Sequence, residues 1–95
     1  MSLRRFAAKA DRNQPEIVAA LKAAGCDVMF IGKPVDLLVS RAGINFLLEV
    51  KVPKGKGEPG GKLTPEQEEF FATWRGQKAV VRTAEEALQV VGCVA

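Results

Sequence analysis

Histidine is absent from the 95-residue sequence. That absence removes Ser-His and Cys-His nucleophilic sites, histidine-based nucleases and nearly all catalytic zinc sites. Cysteine is scarce. Cys26 and Cys93 stand far apart with no metal-type spacing, so reduced, buried thiols of a cytosolic protein are the expected state. No apolar run approaches the roughly 20 residues of a membrane span. The opening Met1-Ser2-Leu3-Arg4-Arg5-Phe6 has basic residues but no apolar core behind them, unlike a secretory signal. Chemistry in such a chain must run on carboxylates, lysine, arginine and metal-activated water.

What is present suits one small α/β domain spanning 1–95. The chain is 47% hydrophobic, which is ordinary for a folded protein and argues against disorder. Its net charge of +3 tolerates a polyanionic partner without requiring one. Residues 1–12 carry Arg4, Arg5, Lys9 and Arg12 and read as a short helical turn or a loose basic arm.

The stretch around which the chain is organised is Ile44 to Val52. It is rich in β-formers, preceded by Gly43 and ended by Pro53. Side chains of a strand alternate faces, so Glu49 and Lys51 point the same way and Val50 points into the opposite layer. Two charges at the polar end of an apolar strand are either a solvated pair that interacts weakly or part of a site.

A helix is expected after Asn13 as cap, with Pro15 in its first turn and Glu16 in capping-box position. Ile17, Val18, Leu21 and Ala24 form its apolar stripe, and Gly25 ends it. Glu16 is explained equally by capping and by a place near a metal. Cys26–Ile31 and Val35–Ser40 read as strands, and Arg41-Ala42-Gly43 turns the chain into the central one. If Ala42-Gly43 is a two-residue loop, Arg41 faces Ile44 and Asp36 lies opposite Glu49. A four-residue loop offsets the two acids diagonally on one face, and a three-residue loop separates them onto opposite faces unless a bulge intervenes. Facing carboxylates repel; a shared Mg²⁺ reverses that sign.

Lys54 to Lys62 is a Gly/Lys loop, either a solvated linker or a segment that follows a phosphate backbone. Thr64-Pro65-Glu66-Gln67 is a capping box opening a second helix, with Phe70, Phe71 and Trp74 as its apolar face and Gly76 ending it. Lys78–Arg82 is a last strand with Val80 and Val81 buried. Thr83 caps a last helix with Glu86 in box position, Leu88 and Val91 face the core, and Gly92 ends the helix. The resulting order, α-β-β-β-α-β-α, predicts a mixed sheet with helices on its faces.

Asp36 followed by Glu49-Val50-Lys51 resembles the Asp…Glu-x-Lys motif of the PD-(D/E)xK nucleases. One residue, Val35, is inserted between Pro34 and Asp36. Glu16 in the first helix, the run Gly61-Lys62-Leu63-Thr64-Pro65-Glu66-Gln67, and Val80-Val81-Arg82 before the last helix together resemble the VRR-NUC family, in its minimal stand-alone phage and bacterial form. The likeness runs from about Gln14 to Val91. The family's second arginine is Thr83 here.

The resemblance implies a restriction-endonuclease-like core and a Mg²⁺-dependent DNA endonuclease, with Mn²⁺ able to substitute and no organic cofactor. Asp36, Glu49 and the Val50 carbonyl would hold the metal. Lys51 would orient or help deprotonate the attacking water and stabilise the pentavalent phosphate, Glu16 would support the metal site, and Gln67 would position the lysine or the water. Lys54, Lys56, Lys62 and Arg82 are the candidate DNA contacts; Arg82 is equally explained as a solvated strand-end residue. The family's stand-alone members imply a homodimer acting on branched DNA such as the four-way (Holliday) junction, in the cytoplasm of a bacterium or a phage-infected host, with no membrane association. The competing readings are a non-catalytic nucleic-acid-binding module on the same fold and an interaction domain whose acids are ordinary surface charges. Sharing one metal requires carboxylate oxygens of Asp36 and Glu49 within about two Mg–O bonds of each other, each ~2.1 Å.

Overall fold

The structure is a computed structural model that describes residues 11–55 and 60–93. Its elements are helix α1 (Gln14–Ala23), strands β1 (Asp27–Phe30), β2 (Leu37–Arg41) and β3 (Ile44–Val50), helix α2 (Pro65–Thr73), strand β4 (Lys78–Val81) and helix α3 (Ala84–Val90). The order is the expected α-β-β-β-α-β-α. The four strands form one mixed sheet in the order β1-β2-β3-β4. The first three are antiparallel neighbours, and β4 lies parallel to β3. A parallel neighbour cannot be reached by a tight turn. The glycine-rich loop and α2 provide that longer connection.

The turn between β2 and β3 sets the geometry on which the rest depends. Arg41 pairs with Ile44 and Leu37 with Leu48, so the connection is the two-residue loop Ala42-Gly43. Both loop residues have positive φ, 54° and 81°, as a type I′ turn requires. One further step of that register places Asp36 beside Glu49. Asp36 itself lies just outside β2 rather than within it, yet burial still withdraws it from water.

Alternation along β3 builds the core. Phe46, Leu48 and Val50 point to the face covered by α1 and α3. There they meet Ile17, Val18 and Leu21 from α1, Leu37 and Val39 from β2, Val81 from β4, Ala87 from α3 and Val91 just after it. Cys26 belongs to the same cluster and Cys93 packs against it; both are free thiols. Burial, with Cys93 close by, pushes the Cys26 thiol up.

Several local expectations are corrected. Ala24 is exposed, because α1 ends at Ala23 and Gly25 turns the chain away at φ 91°. Asn13 precedes α1 but does not cap it with its side chain, whose amide is used elsewhere. The α2 capping box is complete: Gln67 N–H donates to Thr64 Oγ1 and Thr64 N–H to Gln67 Oε1. Yet no residue of α2 is buried, and the helix ends before Gly76. Phe70 stacks on Trp74 (centroids 5.6 Å, planes 25° apart) and meets Phe71 edge-on, so the aromatic ridge packs largely on itself. Val80 is half-buried. In α3, Thr83 Oγ1 accepts from Glu86 N–H as expected, but the Glu86 carboxylate turns back to the amide of Arg82.

Ala42 occupies a left-handed conformation that costs an L-residue with a Cβ, whereas type I′ turns favour Asn-Gly. Ala42→Asn is therefore expected to raise the unfolding free energy by about 0.5–1 kcal/mol in urea melts. An unchanged or lower midpoint would contradict the assigned turn.

Candidate metal centre

Where β2 has not yet begun and β3 is about to end, side chains take over the backbone ladder. Asp36 Oδ2 accepts the amide proton of Val50 at 2.9 Å, and Glu49 Oε1 accepts the amide proton of Asp36 at 3.2 Å. Each acid thus anchors on the other's segment. The Asp36 charge bears directly on Glu49. The N–H and C=O of one residue point to the same edge of a strand, so the Val50 carbonyl is directed toward the Asp36 side as its amide is. Lys51 lies one strand step beyond, on the Glu49 face, with Nζ 3.3 Å from Glu49 Oε2.

The electrostatics are unfavourable for two free carboxylates. Glu49 is only 3% exposed. Loss of water pushes its carboxyl up first, and the Asp36 charge adds to this; Lys51 and Gln67 act in the opposite direction. Asp36 is pushed up by loss of water as well, held back by the Val50 amide and Lys51. Two hard-oxygen groups forced together, short of compensating positive charge, are a donor set suited to Mg²⁺ or Mn²⁺, which take oxygen ligands and keep several waters. The pair therefore fits the metal implied by the sequence. Among the described residues, no group of three or more acidic or thiol side chains converges on one point, so water and backbone oxygen would complete the shell.

Of the remaining residues singled out in the sequence, Gln67 is brought to the site. Its carbonyl oxygen serves the capping box, and its side chain lies near enough to Glu49 to favour the charged carboxylate. Glu16 is exposed on α1 and is not brought into the pair. The acid that bears on Asp36 from this end of the chain is Asp11, whose charge raises it. Asp11 carried no motif and could not be found by spacing. Lys54 and Lys62 are exposed, and Lys56 lies outside the described residues. Arg82 is half-buried and uses Nη1 to bind the Val52 carbonyl at 2.8 Å. The returning loop presses on the same place. Gly61 N–H also donates to Val52 O, and a Cβ on Gly60 would lie 3.1 Å from Arg82 Nη1. A depression lined by Leu63, Val80, Arg82, Glu86, Gln89 and Val90 adjoins Arg82 without including either acid. The acid pair therefore sits outside that depression.

No protein-family profile matches the chain, and neither a curated protein nor a solved structure is significantly similar to it.

The raised carboxyls make stability depend on pH in a defined direction. Between the ordinary carboxylate range and the raised native values, the folded protein holds protons that the unfolded chain has released, so stability falls as pH rises through that window. In EDTA, the melting temperature is expected to fall through that interval, and Glu49→Gln is expected to flatten the fall. Added Mn²⁺ should raise the melting temperature at neutral pH and do little at pH 4, where protons compete for the same oxygens. A Mn²⁺ shift equal at both pH values, or equal in Glu49→Gln, would exclude this pair as the metal site.

Proposed function

We propose that this protein is a metal-dependent endodeoxyribonuclease that hydrolyses phosphodiester bonds, with Mg²⁺ as the physiological ion and Mn²⁺ able to replace it. One observation carries the reading: two mutually anchored, desolvated carboxylates with a lysine ammonium at 3.3 Å from one of them, all at the end of the central strands. A solvated strand-end pair has no need of such burial. It would also not engage the backbone of both segments.

In this reading Asp36, Glu49 and the Val50 carbonyl hold the metal. When bound, the ion supplies Lewis acidity, lowering the pKa of water and offsetting charge on a phosphate. Lys51 presents a proton-bearing Nζ where negative charge grows on the reacting phosphate. Its ion pair with Glu49 keeps that nitrogen directed into the site. Gln67 favours the charged form of Glu49, against the larger effects of burial and of Asp36. Lys54 and Lys62, with Lys56 of the same sequence run, supply sequence-independent attraction to a nucleic-acid backbone. Arg82 contributes mainly by fastening the Val52 carbonyl, with its remaining guanidinium donors available to phosphate.

Branched DNA, and a four-way junction in particular, is the proposed substrate, with a homodimer as the working form. One site cuts one strand, and two sites across a two-fold axis cut two strands symmetrically. The proposal places the enzyme in the cytoplasm; no helix among the described residues is long and apolar enough to cross a membrane.

The test is cleavage of end-labelled four-way junction, flap, duplex and single-stranded DNA with Mg²⁺, with Mn²⁺ and with EDTA. Metal-dependent cutting is expected to fall by roughly 10²–10³-fold in Lys51→Ala, the scale of losing one group that stabilises transition-state charge. DNA binding without cutting in either metal would leave a non-catalytic binding module on this fold. Neither binding nor cutting would return the acids to ordinary structural charges.

A further inference from the structure

We infer that Asn13 is the residue that positions Lys51. The inference rests on the nuclease reading for its catalytic meaning and on geometry alone for the clamp itself. Asn13 sits immediately before α1 in a helical conformation (φ −88°, ψ −4°); its carbonyl accepts from Ile17 N–H, but its side chain makes no cap bond. Instead, its Nδ2 donates to two carbonyls, Lys51 O at 3.1 Å and Arg82 O at 2.8 Å. These are the residues one step past the last paired positions of β3 and β4, Val50 and Val81. One amide nitrogen therefore ties together the two strand ends that border the candidate centre.

The need for this tie follows from the topology. The last rung between the strands is Lys51 N–H to Val81 O at 3.1 Å. Continuing the parallel ladder would bring the Thr83 amide to the Lys51 carbonyl. Thr83 is already the N-cap of α3, and the chain has turned away. The Lys51 carbonyl would be left without its ladder partner. Asn13 supplies the missing donor from a third segment, so Lys51 has both backbone groups bound although it lies beyond the strand. With its backbone held, the long side chain departs from a fixed origin toward Glu49 Oε2.

The orientation of the Asn13 amide is forced. Two carbonyl oxygens can face only the NH₂ group, which carries two donors; the opposite flip would set oxygen against oxygen. The consequence is that Asn13 Oδ1 is buried with no partner among the described residues. That is a cost to stability. The arrangement thus favours the fixed position of the strand ends over full satisfaction of the side chain. Aspartate, with the same shape, would present oxygen to both carbonyls and cannot replace it.

The test uses the full chain and compares wild type with Asn13→Ala. Asn13→Ser, which keeps one donor on a shorter side chain, is the substitute should the alanine variant fold poorly. Two readouts are taken. Amide hydrogen exchange by NMR should speed up by about tenfold or more at Lys51, while core amides such as Leu48 keep their wild-type rates in the ratio set by global stability. Single-turnover cleavage at saturating Mn²⁺ should slow by roughly 10–100-fold, the scale of a displaced catalytic group. The Mn²⁺ dissociation constant should stay within about threefold, because Asn13 touches neither carboxylate. A merely structural residue would lower the melting temperature without slowing cleavage per folded molecule. Unchanged exchange at Lys51, or wild-type cleavage at saturating metal, overturns the inference. If wild type itself cuts no DNA, the nuclease reading fails separately, and the exchange at Lys51 still decides whether Asn13 holds that backbone.

Discussion

Two hydrogen bonds hold the centre of this molecule: Val50 N–H to Asp36 and Asp36 N–H to Glu49. They replace a rung of the β2–β3 ladder with a pair of acids. Ordinary sheet pairing would satisfy these amides with carbonyls at no electrostatic cost. Here the same amides are satisfied by carboxylates, which brings two like charges together away from water. The arrangement sacrifices stability at neutral pH and creates a concentrated patch of hard-oxygen donors.

Everything nearby constrains that pair. The Ala42-Gly43 turn sets the register that brings Asp36 opposite Glu49. The core beneath, with Leu48 and Val50 fully buried on one face of β3, forces Glu49 and Lys51 to the other. Gln67, at the start of a helix with no buried residue, still bears on Glu49. Asn13 and Arg82 then fasten the strand ends through the carbonyls of Lys51, Arg82 and Val52. The proposed chemistry needs few residues, and most of the local hydrogen bonding serves to keep them still.

The element order and the mixed sheet were legible because each helix opens with recognisable capping chemistry and each strand is bounded by glycine or proline. The register of Asp36 and Glu49 was legible only conditionally, through the length of one turn. The structure selects the two-residue case. What escaped reading has a common cause: it depends on contacts between segments distant in the chain. Asn13 looked like a cap because a short polar residue before Gln-Pro-Glu is locally suited to capping, yet carbonyls 38 and 69 residues away claim its amide. Asp11 had no pattern around it, whereas Glu16 had a good one and is exposed. The aromatic stripe of α2 has helical spacing, but periodicity does not say whether a core exists to receive it, and Trp74 remains 48% exposed.

The most direct measurement is a crystal structure of the protein grown with Mn²⁺, with anomalous differences recorded near the manganese edge. If the carboxylate pair is the metal centre, a single strong peak will lie about 2.0–2.2 Å from one oxygen of Asp36 and one of Glu49. It will also lie on the side of β3 toward which the Val50 carbonyl points. A peak elsewhere, or none at saturating Mn²⁺ with each acid still anchored on the other's backbone segment, would mean that the pair does not hold a metal. The nuclease reading would then lose its chemical basis.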